Sequence, residues 1–318
     1  MVEYNTRLGV VEGLKKDIKE SSESRRKWDY FTGTREVSDV PSHIDIEPTN
    51  ACNLQCIMCE RREMKRKVGF MDIQVYQKII DQCLEYGINS IKLNLWGESL
   101  LHKQFIDMIK IAKESGIERV QFNTNGVFLD KEIAEGICKN GLDKLTFSID
   151  GISQEVYEFI RKNSEYEKVI ENLEYLLEYR NNNGFIKPEI TVQIIRMKET
   201  EGEINNFVER WKNRVDYVAV TNIATISGLK DIKERSVNLK EDKQENPCPQ
   251  LWQRLSIHWN GDATVCCSDF DGFLKIGNVK DKNIKDLWNS DEFNKLRDKH
   301  QNRNFSGLIC QTCDGRFD

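Results

Sequence analysis

Three cysteines, Cys52, Cys56 and Cys59, fall within eight residues as Cys-x3-Cys-x2-Cys. Thiolates this close can converge on one metal centre. A structural zinc site calls for four protein ligands. No fourth cysteine or histidine lies nearby, since the next cysteine, Cys83, falls on the apolar face of a helix pattern. Three thiolates suit a cubane iron–sulfur cluster that leaves one iron open to a non-protein ligand. A second set lies near the end of the chain: Cys248, twelve residues, Gly261, four residues, Cys266, then Cys310-x2-Cys313 after another 43. Four cysteines in two distant pairs complete a tetrathiolate site, and the count alone suits zinc as well as iron–sulfur. Cys267 directly follows Cys266. In an extended segment neighbouring side chains point to opposite faces, so both are not expected to reach one centre. A spare cysteine is commonly a small buried hydrophobe. Its chemical alternative is hydrogen-atom donation, because a weak S–H bond can give hydrogen to a carbon radical. Asp269 and Asp271 follow closely. They can bind substrate hydroxyls or take a proton, or they form a turn before Gly272.

The elements that position these groups are read from hydrophobic period. Short apolar runs begin near His43, Ser90 (SIKLNLW), Arg119, Lys144, Glu189 and Asp216. Between them run amphipathic helices, with Ile79, Ile80 and Cys83 on one face and Phe105, Ile109 and Ala112 on another. Ile133, Ile137 and Cys138 make a third stripe, and Leu173, Leu176 and Leu177 a fourth. Strands alternating with helices predict an α/β fold with a parallel sheet. Right-handed crossovers curl it toward a partial (β/α)6 TIM-like barrel, open because six units are fewer than eight. Chemistry in such folds sits at the strand C-terminal ends. The motifs Glu47-Pro48-Thr49-Asn50, Gly97-Glu98-Ser99, Thr124-Asn125-Gly126 and Ser148-Ile149-Asp150-Gly151 all fall there. Residues 1–42 are highly charged, with Lys15-Lys16, Arg25-Arg26-Lys27 and Trp28, and read as a polar cap. The barrel is expected over 43–235. The tail, 236–318, is too short for much of a core of its own and reads as metal-stapled.

With the triplet placed after the first strand, the chain resembles the radical SAM superfamily, whose signature is this triplet at this spacing. The resemblance implies that the open iron of a 4Fe–4S cluster on Cys52, Cys56 and Cys59 binds S-adenosylmethionine, and that reduction yields a 5′-deoxyadenosyl radical. It implies that Gly97 and Glu98 face the methionine amino group, and that Ser148 and Arg161 hold the carboxylate or ribose of S-adenosylmethionine. The plain alternative for Arg161 is a surface helix charge. Met58 stands where relatives carry an aromatic residue. The tail, with Gly277-Asn278-Val279 and Leu287-Trp288-Asn289 between its cysteines, resembles the shortened SPASM or twitch iron–sulfur domain. That implies one auxiliary 4Fe–4S cluster on Cys248, Cys266, Cys310 and Cys313. Some epimerases with such tails carry a donor thiol beside an auxiliary ligand. The resemblance therefore implies a catalytic role for Cys267 as hydrogen-atom donor, and Asp269, by its own chemistry, is expected to act beside it.

Composition narrows the partners. Lys and Arg total 47 against 52 Asp and Glu, a net charge of −5, which argues against nucleic acid. No apolar run approaches the roughly 18 residues of a membrane span, and the first ten residues lack a secretory pattern. Ten cysteines without an export signal are expected in the reducing cytoplasm. Arg61, Arg62, Lys65, Arg66 and Lys67 form a basic run after the triplet. It reads as a solvated loop, or as a site for an anionic substrate or an acidic electron donor. The expected function is a radical SAM epimerase acting on a small, carbohydrate-like metabolite, supplied by a flavodoxin- or ferredoxin-type reductant. A dehydrogenase, a peptide-modifying enzyme and a zinc-stapled scaffold are its rivals.

Overall fold

The computed structural model describes residues 10–11, 30–31, 33–225, 227–237 and 247–313. The basic groups at 15–16 and 25–27 and Trp28 lie outside the described residues. Among the described residues, no helix is long and apolar enough to cross a membrane.

Six parallel strands form the body: β2 (His43–Ile46), β3 (Ser90–Lys92), β4 (Arg119–Thr124), β5 (Lys144–Ser148), β6 (Glu189–Arg196) and β7 (Tyr217–Asn222). They pair in chain order, each with the next. This is the partial TIM-like barrel expected from the alternation. A two-residue strand, β1 (Val10–Val11), lies antiparallel on β7. Between the parallel strands run α1 (Ile73–Glu85), α2 (Phe105–Glu114), α3 (Lys131–Lys139), α4 (Gln154–Ile160), α5 (Tyr166–Asn182) and α6 (Ile204–Trp211). Asp72, Asp130 and Ser153 start α1, α3 and α4, each side chain accepting a hydrogen bond from a first-turn N–H.

Side chains alternate across each strand. In β4, Val120, Phe122 and Thr124 are buried while Arg119, Gln121 and Asn123 are half-buried. The apolar face, with Ile44, Ile91, Val120, Phe122 and Leu145, packs in one core with Ile79, Ile80, Cys83 and Met108 of the helices. The opposite face lines the barrel interior and is polar. One row of register neighbours there runs Ser256, Asp45, Lys92, Gln121, Lys144 and Glu189.

β3 is shorter than its apolar run. After Leu93 N, which still donates to Gln121 O at 2.8 Å, side chains replace the ladder: Asn94 Oδ1 accepts from Asn123 N at 2.9 Å, and Ser99 Oγ donates to Leu93 O at 2.7 Å. These bonds turn the chain into the Gly97-Glu98 loop instead of extending the strand.

The tail joins the same sheet. β8 (Arg254–Ile257) pairs parallel with β2, from His43↔Arg254 to Ile46↔Ile257, and β9 (Asp262–Thr264) and β10 (Lys275–Asn278) continue antiparallel. Leu251, Trp252, Trp288 and Phe293 therefore belong to the barrel's own core. The tail needs little core of its own because it shares this one.

A buried ion pair fixes the tail against the loop that follows β2. Arg66 donates through both terminal nitrogens to Glu47, at 2.9 and 2.8 Å, and through Nε to Phe270 O. Asp271 accepts from the backbone N–H groups of Lys65 and Arg66. Part of the basic run is thus tied into the fold. Arg61 donates to Asn50 O and Arg62 pairs with Asp231, leaving Lys65 and Lys67 exposed. Removing one partner of a buried pair leaves the other uncompensated. Glu47→Gln is expected to lower the unfolding free energy by roughly 3 kcal/mol, read as a shift of the urea midpoint.

Candidate functional site

The three-cysteine loop leaves β2 and is held at several points. Gln55 N and Ile57 N donate to Lys162 O and Ile160 O, at and just beyond the end of α4, while Cys59 N donates to Cys56 O at 3.1 Å. Gly97 lies against its other side with φ +90, and an added Cβ would stand 2.6 Å from both Thr49 O and Ala51 O. Only glycine fits this approach. Glu98 N donates to Ala51 O at 2.7 Å. The Glu98 carboxylate, expected to face S-adenosylmethionine, is 3% exposed and already accepts from Leu100 N, Thr124 Oγ1 and Asn125 N. Asn125 in turn donates to Asn53 Oδ1 at 2.9 Å. Glu98 is thus a clasp joining the ends of β3 and β4 to the cysteine loop.

Arg161 is no surface charge. It is buried at the end of α4, donating through Nε and Nη2 to Asp150 Oδ2 at 2.9 and 2.6 Å, and through Nη1 to Cys56 Sγ at 3.8 Å. Asp150 Oδ1 accepts from Ile195 N. Ser148 ends β5 half-buried, in register with Gln193. Met58 packs on a small apolar group of Ile57, Ile160 and Met197. Burial pushes the Cys56 thiol up to about 12, opposed by Arg161, and raises Cys52 and Cys59 as well.

The four tail cysteines, Cys248, Cys266, Cys310 and Cys313, line one cavity together with Leu251, Val265, Leu274 and Ile309. Ser268 N donates to Cys266 Sγ at 3.3 Å. His300 lines the same cavity, its Nδ1 accepting from Cys248 N at 3.1 Å. A lone histidine without a spaced partner gave no signal in the sequence; only the packing of α7 (Asp291–Gln301) brings it here.

Cys267 has other neighbours. Its thiol donates to Gln250 Oε1 at 3.0 Å, and the charges acting on it include Arg254, Asp45 and Lys92 on the barrel's inner face. Asp269 is a correction to the sequence reading. Its carboxylate accepts from Thr264 Oγ1, Phe273 N and Leu274 N and is 1% exposed, so it closes the turn and is not available as a base. Cys83 and Cys138 are buried in the core.

Residues 46–210, over half of the chain, match the family model of the radical SAM superfamily. The chain belongs to the radical SAM superfamily. Residues 248–314 match the iron–sulfur cluster-binding domain SPASM. A tungsten-containing aldehyde ferredoxin oxidoreductase cofactor-modifying protein of Pyrococcus furiosus is 23% identical over 314 residues, covering 86% of this chain and 87% of the relative. A probable GTP 3′,8-cyclase of Methanocaldococcus jannaschii is 30% identical over 268 residues, covering 76% and 86%. Among solved structures, BtrN in complex with AdoMet and 2-DOIA superposes with a TM-score of 0.59 at 17% identity, covering 88% of this chain and 94% of that one. Streptococcus suis SuiB bound to precursor peptide SuiA gives 0.66 at 18%, covering 95% and 78%. Both share the fold.

A radical SAM core with a SPASM domain takes S-adenosylmethionine, a SAM-binding 4Fe–4S cluster and auxiliary iron–sulfur. The residues present fit that demand. Zinc holds sulfur ligands at about 2.3 Å, which sets them roughly 3.8 Å from one another. Among the described residues, no three Cys, His, Asp or Glu groups are gathered to hold a single ion. Four thiols lining one cavity are a donor set that a cubane takes, as the SPASM match demands.

Two outcomes test this radical SAM site. Gly97→Ala should displace the first cysteine loop, and the iron content of anaerobically reconstituted protein should fall from about eight per chain to about four. In cluster-free protein the thiolate is the reactive form. With Cys56 raised from 9.0 to about 12, its alkylation should keep accelerating above about pH 10, where an exposed cysteine has levelled off. Arg161→Gln removes the opposing cation and should move that rise still higher, as followed by mass spectrometry of iodoacetamide adducts.

Proposed function

We propose that this radical SAM enzyme inverts a carbon centre of a small, carbohydrate-like metabolite, with Cys267 returning hydrogen to the face opposite the one from which it was taken. One observation carries the reading. Adjacent cysteines have different partners: Cys266 lines the cavity of four thiols, while the Cys267 thiol, which also bonds Cys266, donates to Gln250 and feels the charges of Arg254, Asp45 and Lys92. When bound, the SAM-binding cluster on Cys52, Cys56 and Cys59 and its S-adenosylmethionine supply the hydrogen-abstracting 5′-deoxyadenosyl radical. Arg161 keeps a positive charge against Cys56, and Glu98 holds the loop in place. Ser148 and Met58, at the end of β5 and beside the cysteine loop, are assigned to the S-adenosylmethionine pocket. The inner barrel face offers Gln121, Asn123 and Gln193, half-buried, to substrate hydroxyls.

Hydrogen-atom donation needs the S–H form of Cys267. A donated hydrogen bond from the Cys266 thiol pulls Cys267 down to about 6, with Arg254 adding to the shift. A Cys266 that serves as a ligand is a thiolate and has no proton to donate, so its charge then favours the Cys267 thiol. After donation, one electron from a flavodoxin- or ferredoxin-type reductant and one proton restore the thiol. The clusters and ten cysteines suit a reducing cytoplasm. We assign 43–235 to the barrel, 236–318 to the tail with a single auxiliary cluster, and 1–42 to a cap. Names among the relatives, a GTP cyclase and a cofactor-modifying protein, support small-molecule chemistry. The dehydrogenase reading needs a base, and Asp269 is spent while Asp45 is paired with Arg254.

Anaerobic turnover of candidate sugars in D2O is expected to place one deuterium at the inverted carbon, because the thiol exchanges with solvent. Cys267→Ala should still form 5′-deoxyadenosine and lose the inverted product altogether. An oxidised or peptide product, or inversion unchanged in the variant, would overturn the proposal.

A further inference from the structure

The inner face of the barrel carries an unbalanced cation. Lys92 stands in β3 between Asp45 and Gln121 in the register row. Among the described residues it makes no hydrogen bond or ion pair, and the carboxylate beside it in the row, Asp45, is bonded through Oδ2 to Arg254. Asp45 accepts from Arg254 at 3.0 Å and faces His43 at 3.3 Å and Ser256 at 3.5 Å. Arg254 and Lys92 thus present two positive charges against one carboxylate, in surroundings where Asp45 is 1% and Ser256 0% exposed. Lys92 is itself half-buried, and a charge partly withdrawn from water without a partner is costly, so an anion is held there more strongly than at an open surface. Lys92 also acts electrostatically on Cys267, the thiol assigned above as hydrogen-atom donor.

We propose that Lys92, at the C-terminal end of β3, anchors an anionic group of the substrate, a carboxylate or a phosphate, on the inner face of the barrel. The inference rests on the reading of the barrel interior as the substrate site and narrows the substrate to a sugar acid or sugar phosphate. A lysine suits this duty as a compact point charge on a flexible stem, able to meet either oxyanion. The anchor fixes one end of the substrate on this face. The remaining hydroxyls then meet the polar row of Gln121 and its neighbours.

The test needs no turnover, so it stands apart from the fate of Cys267. Holoenzyme with both clusters and S-adenosylmethionine is titrated calorimetrically with inorganic phosphate and, separately, with acetate. One equivalent of anion should bind, and the tighter arm identifies the group. Lys92→Met should weaken that binding at least about tenfold, and Lys92→Arg should retain most of it. In the wild type, the better anion should protect Lys92 from reductive methylation, as read by peptide mass spectrometry. Iron content and S-adenosylmethionine binding of each variant establish that its sites are intact. The proposal is overturned if neither anion binds and neither protects Lys92, or if Lys92→Met binds anion as tightly as the wild type. It is equally overturned if that variant shifts the midpoint potential of the auxiliary cluster while anion binding is unchanged, since Lys92 would then balance the cluster's charge.

Discussion

Burying sulfur that must become thiolate is the constraint on which the structure turns. Burial alone favours the neutral thiol, and Cys56 and Cys248 are both pushed up to about 12 by it. Metal binding reverses that preference, since a ligating sulfur gives up its proton and the free energy of binding becomes free energy of folding. The protein prepares the reversal unevenly. At the first loop it sets Arg161 against Cys56, itself steadied by Asp150. At the tail it aims the Ser268 N–H at Cys266 Sγ and keeps the rest of the cavity apolar.

One strand carries the connection between the two thiol sets. β2 pairs with β3 on one side and with β8 on the other. The first cysteine loop leaves its C-terminal end, whereas Cys248 and Cys266 flank the hairpin whose first strand, β8, lies beside it. The Glu47–Arg66 pair, with Asp271 and Phe270 bound to the same arginine segment, locks loop and tail together. The polar inner face between them follows from the same alternation that builds the apolar outer face. A sheet covered by helices on one side only is free to line a chamber with Asp45, Lys92, Gln121 and Asn123.

Much of this was legible before any coordinates. The cysteine spacings identified two metal centres, and the apolar runs located the parallel strands to within a residue of their starts. These signals are local: a few residues at fixed spacing, or one period repeated along a short stretch. The misreadings share a different character. Asp269 has the right chemistry for a base but is consumed by three donors of its own turn. Arg61, Arg62, Lys65, Arg66 and Lys67 look like a solvated basic run, and Arg62, Lys65 and Lys67 are exposed, yet Arg61 and Arg66 are taken up by Asn50 and Glu47. SIKLNLW reads as one strand and stops at Lys92 because Asn94 and Ser99 take over the backbone bonds.

The sequence by itself determined which atoms can hold metal and which segments become strands, because ligand identity and hydrophobic period are properties of neighbours along the chain. Only the tertiary structure decided that the tail shares the barrel's sheet, that Glu98 is a clasp, that Arg161 faces Cys56, and that the charge of Lys92 acts on Cys267 across more than 170 residues of chain. The physical reason is that hydrogen bonds and buried charges are satisfied by whatever packing brings near. Sequence separation places no bound on that choice once the backbone has folded back on itself.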